Sequence, residues 1–268
     1  MKISIASGKG GTGKTTVAIN MVLSLGNAEL LDCDVEEPNC NVFLKKELTE
    51  KEDVTISIPD IDLKKCDFCG KCSEFCEYNA LAVTKRNVMV FEELCHGCGG
   101  CKLVCPQNAI AYKERKIGEV SGDHEFHQGE LNVGEAMATP VVAAVKEKIA
   151  CETVIIDAPP GAACPVIEAV SGTDYCILVT EPTSFGLSDL SITVKLMKKL
   201  QIPHGVVINR EGIGDKRVEK YCKKSDIPVL MKIPQDKRIA ELYSRGIPFV
   251  QEMQEWKEKF KSLYEAIR

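Results

Sequence analysis

At 268 residues, 44% hydrophobic and 27% charged, the chain suits one large soluble domain or one domain carrying a small insertion. Its net charge of −5 excludes the basic stripe that a nucleic-acid surface needs. One Trp and 6% aromatics leave few platforms on which single-stranded bases stack.

Met1 and Lys2 run straight into the apolar Ile3–Ala6, so no signal peptide is expected. No apolar run approaches the roughly 18 residues of a membrane span, and a cytoplasmic protein is expected. Short, β-branched apolar runs recur along the chain at Ile3–Ala6, Glu29–Cys33, Thr153–Asp157, Tyr175–Thr180, Gly205–Asn209 and Pro228–Ile233. Between them, helical periodicity marks Lys14–Leu25, Glu135–Ala150, Leu187–Leu200, Lys216–Ser225 and Asp236–Arg245. Gly26, Gly186, Pro203 and Pro228 punctuate these segments as caps and breakers do. The alternation predicts an α/β fold with a mostly parallel sheet covered on both faces.

The rhythm breaks between about residues 59 and 113, where an internal repeat appears. Cys66, Cys69, Cys72 and Cys76 recur at a constant offset as Cys95, Cys98, Cys101 and Cys105. The tails match as well, Tyr78-Asn79-Ala80-Leu81 against Gln107-Asn108-Ala109-Ile110. These are eight of the chain's 14 cysteines. In an intracellular chain such crowding favours metal ligation over disulfides.

Each run reads C-x₂-C-x₂-C-x₃-C, the second followed by Pro106 and the first by Glu77. Soft, anionic thiolates at this spacing suit iron of a [4Fe–4S] cluster. A zinc site is the rival, but the third closely spaced cysteine and the duplication weigh against it. In bacterial two-cluster ferredoxins the fourth cysteine of each run ligates the other cluster. The expected sets are therefore Cys66, Cys69, Cys72 and Cys105 for one cluster, and Cys95, Cys98, Cys101 and Cys76 for the other. The inserted ferredoxin-like α+β module is placed at 59–113, dividing the α/β domain into 1–58 and 114–268.

Ahead of the repeat, Gly8-Lys9-Gly10-Gly11-Thr12-Gly13-Lys14-Thr15 sits between an apolar strand and a helix and contains G-x-x-x-x-G-K-T, with Thr16 following. Its glycines let successive backbone N–H groups cradle phosphate at a helix N-terminus. Lys14 is expected at the β/γ-phosphates and the Thr15 hydroxyl on Mg²⁺. Two acidic strand ends accompany the loop: Asp32-Cys33-Asp34 and Asp157-Ala158-Pro159-Pro160-Gly161.

With its early second lysine, K-G-G-x-G-K-T resembles the deviant Walker A ATPases: MinD, partition ATPases and the nitrogenase iron protein. The whole chain is similar to MinD-superfamily ATPases containing an inserted ferredoxin domain. The likeness extends to Glu181-Pro182-Thr183, to Gly186-Leu187-Ser188-Asp189 and to Leu131-Asn132-Val133-Gly134-Glu135. It implies that Lys9 reaches a partner's phosphates across a dimer interface, and that Asp34 orients or activates the attacking water. It also implies that Asp157 binds Mg²⁺ through water, while Asn209, Pro234 and Gln235 meet the adenine. Asp32 is read as either a site residue or a loop brace.

The expected cofactors are ATP or ADP, Mg²⁺ and two [4Fe–4S] clusters. The expected assembly is a homodimer, or a heterodimer with a paralogous ATPase, serving a redox or metallo-cofactor partner protein. Among the scattered cysteines, Cys164 resembles a switch II cluster ligand by position, but a buried, inert thiol is the expected role. Cys33, Cys40, Cys151, Cys176 and Cys222 are assigned to core packing or loops. Near the C-terminus, Trp256, Phe260, Leu263 and Ile267 form an apolar stripe accompanied by Glu252, Glu255, Glu258 and Glu265. A closing core helix is expected there rather than a membrane anchor, whose polar face would be basic.

The function read from these motifs is a slow or partner-stimulated ATPase coupling nucleotide state to electron transfer or to iron–sulfur and metal-cofactor handling. One alternative is a non-redox assembly switch with structural clusters. A cluster-assembly carrier is another, disfavoured because no C-x-x-C lies outside the insert.

Overall fold

The computed structural model describes all 268 residues. In chain order it contains β1 (Lys2–Ser7), α1 (Lys14–Leu25), β2 (Glu29–Asp32), α2 (Cys40–Leu44) and β3 (Glu50–Ile61). The cysteine-rich part follows with α3 (Lys71–Phe75), β4 (Leu81–Val83), β5 (Val88–Val90) and α4 (Gly100–Leu103). Next are β6 (Ile110–Asp123), β7 (Phe126–Leu131), α5 (Ala138–Lys146), β8 (Val154–Pro160), α6 (Cys164–Val170) and β9 (Tyr175–Thr180). The chain closes with α7 (Ser184–Leu200), β10 (His204–Glu211), α8 (Arg217–Lys224), β11 (Val229–Pro234), α9 (Lys237–Ser244), α10 (Phe249–Glu252) and α11 (Gln254–Ile267). No helix is long and apolar enough to cross a membrane.

The chain divides into two compact units. The first comprises Met1–Glu52, Val120–Glu130 and Ala138–Arg268; the second comprises Asp53–Glu119 and Leu131–Met137. In the first unit the strand order is β11-β10-β9-β1-β8-β2-β7, followed by the end of β6. Every pairing from β11 to β7 is parallel. The central strands are apolar on both faces because helices cover both faces, as in parallel sheets generally.

On one face α1 sets Val17, Ala18 and Met21 against Ile3, Ile5, Ile155 and Ile177, and α11 adds Trp256, Phe260 and Leu263. The expected closing helix is therefore part of the core. Phe249 meets the Trp256 ring edge-on, with centroids 5.5 Å apart. Buried Asn20 ties this layer together: its Oδ1 accepts from Val250 N at 2.9 Å, and its Nδ2 donates to Thr16 O at 2.7 Å.

The six apolar runs all fall on strands of this sheet, within one to three residues of their observed ends. Helix α5 is shorter than the expected Glu135–Ala150. Five strands lie outside the expected runs: β3, β6 and β7 of this sheet, and the short pair β4 and β5. In β7 the sequence Phe-His-Gln-Gly-Glu-Leu lacks an apolar run, yet pairing with β2 buries Phe126, Gln128 and Gly129.

The second unit is organised by its repeat. Gly70 and Gly99 cap α3 and α4 from left-handed conformations, φ 81° and 80°. Asn79 and Asn108 adopt φ 53° and 48°, and the following Ala80 and Ala109 N–H groups donate to Cys76 Sγ and Cys105 Sγ, each at 3.4 Å. Asn is among the few side chains that tolerate this backbone region, which is why both repeat tails carry it. Strands β4 and β5 form a separate antiparallel pair, and β6 neighbours β3.

Candidate functional site: a nucleotide cleft and two cysteine cavities

Strands β2, β8 and β1 lie side by side, with Asp32 opposite Asp157 and Asp157 opposite Ile5. Their C-terminal ends deliver the glycine loop and both acidic segments to one edge of the sheet. This is where ligands bind in open α/β folds. Gly13 turns the loop into α1 at φ 95°, and a Cβ there would overlap the Asn209 amide, so only glycine fits.

Lys14 is 5% exposed and its Nζ lies 3.7 Å from Asp34 Oδ2. Burial pushes the Asp34 carboxyl up to about 6, with Lys14 opposing. The Thr15 hydroxyl donates to Asp157 Oδ2 at 2.6 Å. Asp157 is wholly buried; burial, reinforced by Asp32, pushes its carboxyl up to about 8, with Lys14 opposing. Its Oδ1 has no hydrogen-bond partner. A buried carboxylate oxygen left unmet beside a hydroxyl is an acceptor set that a hard cation would satisfy.

Asp32 has a bracing role. Its carboxylate accepts the backbone N–H groups of Asp34, Asn39 and Cys40 at 3.0–3.1 Å, fixing the loop that carries Asp34.

Lys14, Thr15, Thr16, Asp34, Asn209, Pro234 and Gln235 line one open cleft together with Gly10, Gly11 and Gly13. The Asn209 Nδ2 donates to Thr12 O at 2.8 Å, and its Oδ1 accepts from Arg210 N at 2.9 Å. One N–H and one lone pair of the amide remain for a ligand. Lys9 Nζ lies 3.4 Å from Glu181 Oε2, while Arg210 binds the other oxygen of the same buried carboxylate. In the sequence, Glu181 and Arg210 both fall within motifs, but neither receives a role there. No local signal marks either contact, because both arise from the placement of strand ends.

Cys164 is corrected by the structure. It is exposed, not buried, because it opens α6 where that helix leaves the sheet edge. Cys33, Cys40, Cys176 and Cys222 are buried, and Cys151 is half-buried.

In the second unit, Cys66, Cys69, Cys72 and Cys105 line one cavity. Cys76, Cys95, Cys98 and Cys101 line another. Each cavity thus gathers three cysteines of one run and the last cysteine of the other. Ile61, Val83, Val88 and Ile110 surround the first set, and Phe75, Tyr78, Tyr112 and Leu81 the second. The Tyr78 ring stacks on His96 with centroids 3.7 Å apart. Besides the Cys76 and Cys105 contacts, Phe68 N donates to Cys66 Sγ at 3.4 Å. Four sulfurs around an apolar void, with backbone N–H groups aimed at some of them, form a donor set for a thiophilic metal group.

Residues 3–249 match the CobQ/CobB/MinD/ParA nucleotide binding domain family. An uncharacterized protein of Methanocaldococcus jannaschii is 33% identical over 93% of this chain and 91% of its own length. An iron-sulfur cluster carrier protein of Pyrococcus horikoshii is 26% identical over 93% of this chain and 79% of its own. Among solved structures, the septum site-determining protein MinD of Pyrococcus horikoshii, complexed with Mg-ADP, superposes with a TM-score of 0.60. That likeness has 23% identity, spans 99% of this chain and 95% of the other, and speaks to the fold. The sheet order, the glycine loop and the family match agree: the chain belongs to the CobQ/CobB/MinD/ParA family of P-loop ATPases.

Proposed function

We propose that the protein is a Mg-ATP-dependent ATPase with an inserted two-cluster ferredoxin module at 59–113, coupling nucleotide state to electron transfer or iron–sulfur cofactor handling for a partner protein. The observation that carries this reading is the crossed gathering of the cysteines, three from one run and one from the other around each cavity. Zinc has no use for such crossing, since two C-x₂-C pairs suffice for it. A duplicated ferredoxin run needs it. When bound, the clusters would supply one-electron chemistry. The chain's part is to hold them in apolar walls and to direct N–H groups at Cys66, Cys76 and Cys105, which raises the potential of a thiolate-ligated cluster.

In the nucleotide cleft, the loop N–H groups and Lys14 would hold the β/γ-phosphates, and Thr15 with Asp157 would hold Mg²⁺. The partnerless Asp157 Oδ1 supports that assignment. Asp34, kept near Lys14, would accept a hydrogen bond from the attacking water, and Asn209, Pro234 and Gln235 would border the adenine. Lys9 would leave Glu181 for the partner's phosphates in a nucleotide-bridged dimer, formed with a second copy or with a paralogue.

The test is anaerobic purification, iron analysis and electron paramagnetic resonance of the dithionite-reduced protein with and without Mg-ATP. About eight irons per chain and a nucleotide-dependent signal are expected. Iron near zero, or a signal indifferent to Mg-ATP, would remove the cluster and coupling halves respectively. A carrier role is the second reading, favoured by the similarity to iron-sulfur cluster carrier proteins. It predicts cluster loss to an apo-acceptor in step with ATP turnover, whereas the redox reading predicts clusters that stay.

A further inference from the structure

The pairing of β2 with β8 sets Asp32 opposite Asp157, and Cys40, the first residue of α2, comes close to both. There, Cys40 Sγ and one oxygen from each carboxylate all lie within 4.8 Å of one another. All three residues are 0% exposed. The Cys40 thiol donates to Asp157 Oδ2 at 3.8 Å. The other oxygen of the same carboxylate, Asp157 Oδ1, is buried with no partner, so the carboxylate has capacity beyond what Thr15 and Cys40 use. A thiol has no use in Mg-ATP chemistry, since Mg²⁺ takes oxygen ligands in an octahedron and rejects sulfur.

We propose that Asp32, Cys40 and Asp157 form a site for a thiophilic divalent cation of the Zn²⁺ or Fe²⁺ class, which competes with Mg²⁺ for Asp157 and so restrains ATP turnover. A tetrahedral ion with sulfur at about 2.3 Å and oxygen at about 2.0 Å places those ligands about 3.5 Å apart. The observed 3.8 Å between Cys40 and Asp157 is within a few tenths of this. Three protein ligands leave a fourth position open, for water or for the Thr15 hydroxyl, which already lies 2.6 Å from Asp157 Oδ2. The backbone N–H groups of Asp34, Asn39 and Cys40 hold the Asp32 carboxylate in place, as partners behind a metal ligand do.

A soft cation on Asp157 Oδ2 would displace the Thr15 hydroxyl from that oxygen and set a second positive charge beside the Mg²⁺ position, so its capture opposes Mg²⁺ binding at Asp157. It also fixes the loop on which Asp34 rides. The site draws on none of the repeat cysteines and holds whether or not the clusters exist. It rests on the reading of Asp157 as the Mg²⁺-side carboxylate, which Mg-ATP binding measured without zinc tests separately.

The experiment is anaerobic equilibrium dialysis of the cluster-loaded, nucleotide-free protein against zinc, followed by metal analysis of wild type, Cys40→Ala and Cys40→Ser. Zinc held by the repeat cysteines is common to all three proteins and cancels. Wild type is expected to keep one zinc per chain more than either variant, and excess Mg-ATP to release it. Zinc should also slow ATP turnover, with half-inhibition shifted tenfold or more in the variants. Equal zinc retention in wild type and variants, or zinc that excess Mg-ATP leaves in place, overturns the proposal. Cys40→Ser nearly preserves volume and carries the comparison if Cys40→Ala fails to fold. If neither variant folds, release of zinc from wild type by Mg-ATP decides.

Discussion

The nucleotide cleft stores an electrostatic cost that titration should expose. Asp157 is completely buried, and that burial raises its carboxyl from an ordinary 3.8 to about 8. In the nucleotide-free protein the folded chain therefore keeps a proton that the unfolded chain has lost above about pH 4. A group whose folded value is raised favours the folded state at low pH, and this advantage falls away as pH climbs toward the folded value. Each excess proton contributes a slope of about 1.4 kcal/mol per pH unit. Between pH 6 and 8 the Asp157 proton dominates, because Asp34, raised to about 6, is already half titrated at pH 6 and adds only about 0.4 kcal/mol above it.

Stability should thus drop by about 1.4 kcal/mol from pH 6 to pH 7, a fall of roughly 0.5–1 M in urea midpoint. Trp256, the single tryptophan, is 4% exposed and belongs to the core of the first unit, so its fluorescence reports this unit's unfolding. Anaerobic urea titrations at several pH values supply the measurement. Asp157→Asn should flatten the dependence and raise stability at pH 7 while abolishing Mg-dependent nucleotide binding. Mg-ADP should flatten it in wild type, because a nearby cation favours the ionised carboxylate. A midpoint constant between pH 6 and 8, or an undiminished slope in Asp157→Asn, would refute the assignment of strain to this carboxylate.

Crossed cysteine sets predict non-additive iron loss. Cys66→Ser with Cys105→Ser should lose roughly four of eight irons, as either single change does, whereas Cys66→Ser with Cys76→Ser should lose nearly all. Iron analysis of the anaerobic proteins checks this. Glu181→Gln releases Lys9, whose ion pair at 38% exposure is worth about 1 kcal/mol or less. Sedimentation with a non-hydrolysable ATP analogue should show dimers at up to about fivefold lower protein concentration, and Lys9→Ala should abolish that gain. Phe260, fully buried beneath α1 and beside Phe249, should cost about 3–5 kcal/mol when changed to Ala, read in the same urea titrations.

What the sequence made legible are the places where the chain builds a structure from consecutive residues. Gly8–Thr15 must be read as a phosphate loop because strand, glycines and helix follow one another without a gap. The cysteine runs are equally local, and the repeat even carries its own turn residues, Asn79 and Asn108. Strands were legible where both faces are apolar, as in β1, β8 and β9. Strand β7 was not, because its polar residues acquire partners only after the sheet forms, His127 beside Glu29 being one. Cys164 is expected to be buried, as free thiols usually are, but a helix start at the sheet edge exposes it.

The unread part of the cleft has one physical origin. Asp32 and Asp157 meet because two strands pair in a register that joins residues more than a hundred positions apart, and Glu181 meets Lys9 and Arg210 because β9 lies between β1 and β10. Spacing along a sequence cannot encode such pairs. Motifs therefore identify the groups proposed to hold phosphate, whereas the sheet decides which acid burdens which base. That second layer sets the Asp157 proton and the position of Lys9 before nucleotide arrives. Variants of Glu181, Asp32 or Cys40 should accordingly change when the cleft engages Mg-ATP, while variants of Lys14 or Thr15 change whether it engages at all.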